Sequence, residues 1–129
     1  MEWTVVKEIN TPDFDIEAGA AKIGEDILLY IKGGDKPHIG CTVIAVPRPS
    51  LSGNGERSVT SSVLNLTGHK DEALCRMLAE MVCCATGKTV VCTGGVHLEQ
   101  ITIEQTKEVE NAAKRLGVAL LGILQETPL

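Results

Sequence analysis

The stretch Ile27-Leu28-Leu29-Tyr30-Ile31 constrains the fold of this chain more than any other. It is too short for a buried helix, and turn residues bound it: Gly24-Glu25-Asp26 before, Gly33-Gly34 after. Such a run predicts a central strand covered on both faces. The flanking segments agree with a sheet. Residues 3–9 are β-rich and punctuated by Thr11-Pro12-Asp13, and residues 14–22 alternate apolar with polar or small. Residues 41–46 form a further strand, which Pro47 and Pro49 are expected to end because proline donates nothing to a ladder. A weaker, Ser/Thr-rich strand follows at residues 57–64.

Helical periodicity appears only in the second half. Residues 71–86 carry an apolar stripe of Leu74, Leu78, Met81, Val82 and Ala85, with Asp71 and Glu72 at the positive end and Gly87 as the stop. A short buried strand is expected at residues 89–93, ended by Gly94-Gly95. Thr102 and Gln105 match a capping box that opens a second helix, running through Val109, Ala112, Ala113 and Leu116 to Gly117. The apolar tail at residues 118–124 reads equally as a further helical turn or an edge strand. The sum is one α+β domain over residues 1–129: a mainly antiparallel sheet with two helices packed on it.

Composition narrows the function. With 12 basic and 17 acidic residues the net charge is −5, which argues against a nucleic-acid partner. Trp3, Phe14 and Tyr30 are the whole aromatic complement, too few for base-stacking platforms. No apolar stretch has the length of a membrane span, and Met1-Glu2-Trp3-Thr4 lacks a signal-peptide pattern, so a cytoplasmic location is expected. Cys41, Cys75, Cys83, Cys84 and Cys92 show no CxxC spacing and read as reduced, mostly buried residues. Gly87-Lys88-Thr89 imitates the end of a P-loop, but Val82 stands where the first glycine belongs.

The chain has three histidines, and each lies in a glycine-marked loop: His38 after Gly33-Gly34-Asp35-Lys36-Pro37, His69 after Gly68, and His97 after Gly94-Gly95-Val96. Alone, each reads as a surface or core residue. Together, in loops where a scaffold presents binding groups, they point to a shared site. Two chemistries are then open. Three imidazoles can hold a divalent metal, with Asp35 as a ligand or orienting group. Alternatively the imidazoles, Lys36 and Lys70 recognise a phosphate at the start of the first helix. Glycines in these loops permit close backbone approach by a ligand, so valine at Gly34 or Gly95 is expected to abolish binding in a still-folded domain.

The segments Gly33-Gly34-Asp35-Lys36-Pro37-His38-Ile39-Gly40, Gly68-His69-Lys70-Asp71 and Gly94-Gly95-Val96-His97-Leu98-Glu99-Gln100-Ile101-Thr102 resemble the LpdD-like proteins. These are small accessory partners of UbiD-type decarboxylases and chaperones for prenylated flavin mononucleotide. The resemblance spans roughly residues 14–116 and implies a fold like the small proteasome-assembly chaperones, commonly dimeric. It further implies a cofactor site lined by His38, His69 and His97, with Gly33, Gly34 and Asp35 as one wall and Gly68, Gly95 and Lys70 completing it. Lys70 and the helix start would face the phosphate. A divalent metal on His38, His69 and His97 at that phosphate is a chemically sensible addition. A homodimer and a UbiD-type partner are expected, with binding and delivery rather than catalysis. The alternatives are a metal-dependent enzyme on a small anionic substrate, with Asp35 or Glu99 as base, and a protein–protein assembly module.

Overall fold

The computed structural model describes residues 2–8, 14–66 and 71–126. Within these the chain forms β1 (Trp3–Glu8), β2 (Ile16–Ile23), β3 (Asp26–Gly34), β4 (Cys41–Pro49), β5 (Arg57–Asn65), α1 (Glu72–Thr86), β6 (Val90–His97) and α2 (Ile103–Glu126). The six strands make one sheet in the order β1-β2-β3-β6-β4-β5. All neighbouring pairs are antiparallel except β3 and β6, which run parallel from Ile27↔Val90 to Gly34↔His97. The late strand β6 thus joins two antiparallel units, β1–β3 and β4–β5.

Period-two alternation decides which face is buried. Ile16, Ala18 and Ala20 of β2 share a face with Ile27, Leu29 and Ile31 of β3, Val90 and Cys92 of β6, and Cys41, Val43 and Ala45 of β4; all are buried. Both helices pack on this face. Helix α1 lies over β4, β5 and β6, and α2 over β1 and β2, the two helices touching each other. Helix α2 buries Val109, Ala112, Ala113, Leu116, Leu120 and Leu124, continuing the predicted stripe. Helix α1 buries Leu74, Cys75, Leu78, Ala79, Val82 and Cys83, a stripe rotated from the expected one so that Ala85 is exposed. Small side chains at Cys75, Ala79 and Cys83 let the helix sit close to the sheet. The five cysteines are free thiols, and all but Cys84 are buried.

The other face corrects the reading of the central run. Leu28 and Tyr30 are half-buried, and no helix among the described residues covers them. Around them Trp3, Val5, Ile44 and Val46 are each between 41% and 44% exposed, which leaves an apolar sheet surface facing outward. Trp3 meets Tyr30 edge-on at 5.2 Å between ring centroids. The Tyr30 hydroxyl donates to Glu17; burial, then the Glu17 carboxylate, push its pKa up to about 12.

Four expected breakers do not break. Strand β4 continues through Pro47 and Pro49, because past Ala45 it pairs with β5 alone and its other edge needs no donor. Strand β6 runs on through Gly94-Gly95 to His97, and β3 reaches Gly34. Helix α2 passes Gly117, where a Cβ would lie 2.8 Å from Met81 Sδ and 3.0 Å from Leu78 Cδ2; the glycine serves the helix–helix contact. The tail is therefore helical to Glu126. The capping box forms as expected: Gln105 N–H donates to Thr102 Oγ1 at 3.0 Å, and Thr102 N–H to Gln105 Oε1 at 2.9 Å. The Thr11-Pro12-Asp13 turn lies outside the described residues.

Gly94 is the tightest point of the sheet: φ is +135°, and a Cβ would stand 1.8 Å from the Ile31 carbonyl oxygen. Gly94→Ala should cost about 3 kcal/mol in a denaturant titration, against about 1 kcal/mol for Gly53→Ala, whose left-handed turn is open.

Candidate functional site

The parallel pairing of β3 and β6 brings their C-terminal ends side by side, and both glycine–histidine segments emerge there. The loop after β3 is fastened to β6 at two points: Asp35 N–H donates to the His97 carbonyl at 2.7 Å, and Gly40 N–H to the Gly94 carbonyl at 2.9 Å. His38 stands between these fasteners. Its Nδ1 donates to the Lys36 carbonyl and its Nε2 to Asp71 Oδ2, both at 2.9 Å. Asp71 immediately precedes α1, is 5% exposed and makes no side-chain cap on that helix. Its Oδ1 instead accepts the Val96 N–H at 3.0 Å. Strand β4 leaves β6 at Gly94, so Val96 has no strand partner on that side and turns to the carboxylate.

A carbonyl oxygen only accepts, so His38 Nδ1 carries a hydrogen; an ionised Asp71 likewise requires one on Nε2. The geometry therefore favours the imidazolium. The Lys36 carbonyl raises the His38 pKa above its ordinary value, Asp71 adds to this, and burial partly offsets it. Two glycines make room for the pair. A Cβ on Gly40 would lie 2.1 Å from Asp71 Oδ2, and one on Gly95 would lie 2.7 Å from His38 Nε2.

His97 closes the other side. Its ring lies edge-on to that of His38, centroids 6.2 Å apart, and Nε2 is 3.5 Å from Glu99 Oε1. Lys36 Nζ approaches the same oxygen at 3.0 Å and, more than His97, holds the exposed Glu99 carboxyl below its ordinary pKa. Asp35 Oδ2 accepts the Glu99 N–H at 3.0 Å, tying the β3–β4 loop to the β6–α2 loop. Gln100, in the second loop, has φ +51°.

His38, Asp71 and His97 lie on a cleft of about 330 Å³ between the start of α1, the end of β6 and the first turns of α2. Its walls are Ala73, Leu74, Val96, Leu98, Ile101 and Val109, with Thr106 and Glu110 also on it. Apolar walls with a few polar groups are the usual makeup of a small-molecule site.

The structure thus joins two of the three histidines; Gly68, His69 and Lys70 lie outside the described residues. Gly33 and Gly34 do not line this cleft but border a separate one of about 280 Å³ with Lys32 and Pro37. Their role is steric. A Cβ on Gly34, where φ is +79°, would lie 2.1 Å from the His97 carbonyl oxygen, and one on Gly33 would lie 2.5 Å from the Asp15 carbonyl oxygen. A side chain at Gly34 or Gly95 would meet this chain itself, so lost binding in Gly34→Val or Gly95→Val would also follow from disturbed packing and not from ligand approach alone. Asp71 was read as a helix-start acid and as the end of the Gly68-His69-Lys70-Asp71 segment but not as a site residue, and Thr106 and Glu110 were not singled out. The signal for Asp71 was its place directly after Gly68-His69-Lys70. Among the described residues no three His, Cys, Asp or Glu side chains are gathered as a metal site, and no helix is long and apolar enough to cross a membrane.

The family model described as the prenylated flavin chaperone LpdD-like domain matches residues 10–125. A solved structure, the crystal structure of a novel chaperone complex for yeast 20S proteasome assembly, is similar at 18% identity, covering 98% of each chain with a TM-score of 0.49. No curated protein sequence matches.

Because the folded His38 pKa is raised, the His38–Asp71 pair contributes its full stability below about pH 6.5, the unfolded value, and loses it as pH rises through the folded value. Thermal melts should show a smaller decline between neutral and alkaline pH in His38→Gln than in the parent. Asp71→Ala should destabilise by about 3 kcal/mol, read by denaturant titration, since it strands a partly buried imidazolium and the Val96 N–H.

Proposed function

We propose, given that the chain belongs to the prenylated flavin chaperone LpdD-like family, that it binds prenylated FMN at the cleft between α1, β6 and α2 and delivers it to a UbiD-type decarboxylase. The observation that carries this reading is the pairing of His38 and His97 on an apolar cleft. The His38 ring, fixed by Asp71 and the Lys36 carbonyl, is one polar contact at the edge of the cleft. His97 is the second polar contact, and Gly95 leaves the space that the His38–Asp71 pair occupies. Gly33, Gly34 and Asp35 act one step away, by holding the His38 loop against β6 and the β6–α2 loop. Gly68, His69 and Lys70 are assigned to the phosphate. The first-turn N–H groups of α1, which the Asp71 side chain does not cap, favour an anion there.

A histidine-bound metal does not fit the described residues. Both ring nitrogens of His38 are already donating, so it would have to release Asp71 or Lys36 to become a ligand. The family is one of chaperones, and Glu99, the base of the enzyme alternative, is tied to Lys36 and held in its weaker-base form.

The working form we propose is a homodimer, joined through the open sheet face of Trp3, Val5, Ile44 and Val46. Sheets commonly bury such a face against another sheet. Light scattering should report a dimer, and Ile44→Lys with Val46→Lys should report a folded monomer. The delivery reading is tested by native mass spectrometry of the protein from cells that also produce a flavin prenyltransferase, followed by mixing with an apo UbiD-type decarboxylase. A prenylated FMN increment that disappears as decarboxylation begins is the expected result. His38→Gln should lower the loaded fraction roughly tenfold, the range for a charge-assisted contact. A bare polypeptide mass after incubation with the cofactor would refute the proposal.

A further inference from the structure

We infer that the cleft reads the saturated part of the cofactor, so that this chain distinguishes prenylated FMN from FMN itself; this rests on the cofactor reading above. Prenylation adds to the flavin a non-aromatic ring bearing two geminal methyl groups. The cleft is built for such a group. Its walls are aliphatic, and all but Ala73 are branched: Leu74, Val96, Leu98, Ile101 and Val109. Among the described residues its only rings are the imidazoles of His38 and His97, which stand edge-on to each other, and Trp3 and Tyr30 lie together on the opposite face of the sheet. A planar flavin gains most from stacking on a broad flat surface, which the aliphatic walls do not offer. Branched walls reward a puckered, methyl-bearing group through excluded apolar area, which needs no direction.

Size and charge set the orientation. A volume of about 330 Å³ is near the lower end for sites that engulf a drug-sized ligand, so part of the cofactor enters and the rest stays outside. The Glu110 carboxylate on the cleft repels a phosphate, whereas the charge of Asp71 is compensated by His38. The saturated ring therefore points inward, and the ribityl phosphate outward.

Ala73 is the residue on which the distinction turns. It lies in the first turn of α1, exposed on the cleft side, and is the smallest side chain of the walls. Leucine there occupies the cleft without entering the core, and leucine suits a helix nearly as well as alanine.

The experiment is an anaerobic titration of the full chain with prenylated FMN and, separately, with FMN, followed by flavin absorbance and fluorescence. The parent should prefer prenylated FMN by roughly 30-fold or more, the span expected for a few buried methyl and methylene groups. Ala73→Leu should bring the two affinities within about threefold, by weakening prenylated FMN alone, and Ala73→Ser should keep the preference. Circular dichroism and thermal melts of each variant establish that it is folded. Equal binding of both flavins by the parent, or equal weakening of both by Ala73→Leu, would overturn the inference and leave the chaperone reading standing. Failure of the parent to bind either flavin would overturn both.

Discussion

The carboxylate of Asp71 holds together three parts of the chain that are far apart in sequence: the loop after β3 through His38, the end of β6 through Val96, and the start of α1 through its own backbone. A nearly buried carboxylate is tolerated only where its oxygens are satisfied and its charge is met. Here one oxygen takes a backbone N–H and the other a histidine N–H. Much of the local sequence follows from that requirement. Gly40 and Gly95 lack side chains because the pair occupies the space where their Cβ atoms would be. His38 is aimed by Lys36, and its loop is fastened to β6 on both sides. The cleft inherits its rigidity from this junction, since the same elements provide its walls.

The other organising constraint is that two helices cover one face of a six-stranded sheet. Helix α2 spans the β1–β2 half and α1 the β4–β6 half, which leaves the reverse face with Leu28, Val91, Ile44 and Val46 among its side chains. An apolar surface of that kind, rimmed by the Glu17–Lys32 ion pair and the Arg48–Thr60 hydrogen bond, is characteristic of association. On the proposed reading, holding a small molecule and meeting other proteins fall to different faces of the sheet.

Local rules were legible in the sequence and long-range ones were not. The Thr102–Gln105 box, the α2 stripe and the existence of six strands follow from spacing a few residues wide, and each is present. Gly33-Gly34, Gly94-Gly95 and Pro47 were read as strand ends because their residue types usually interrupt a ladder. The reasons they do not are set by partners dozens of residues away: the His97 backbone, the Ile31 backbone and the departure of β6 from the edge of β4. The same division runs through the site. Histidine in glycine-marked loops pointed to a common location, and His38 with His97 meet there. Asp71 escaped notice because an acid before a helix already has a sufficient local explanation in the helix dipole. That its side chain faces away from the helix, toward β6, depends on a strand crossover no nearby residue reports.

The position of β6 also bears on how the molecule comes into being. Two antiparallel units, β1–β3 and β4–β5, are complete by Asn65, yet they meet only through a strand that ends at His97. Contacts of such wide sequence separation carry a loop-closure cost before they contribute anything. As the chain leaves the ribosome, its first half therefore emerges as two hairpin-like pieces with an unfilled gap at the centre of the sheet. Closing that gap is the same event that brings His97 beside His38 and Val96 to Asp71. The cleft thus needs both β6 and α2 in place, since Val96 and His97 of the one and Thr106, Val109 and Glu110 of the other line it.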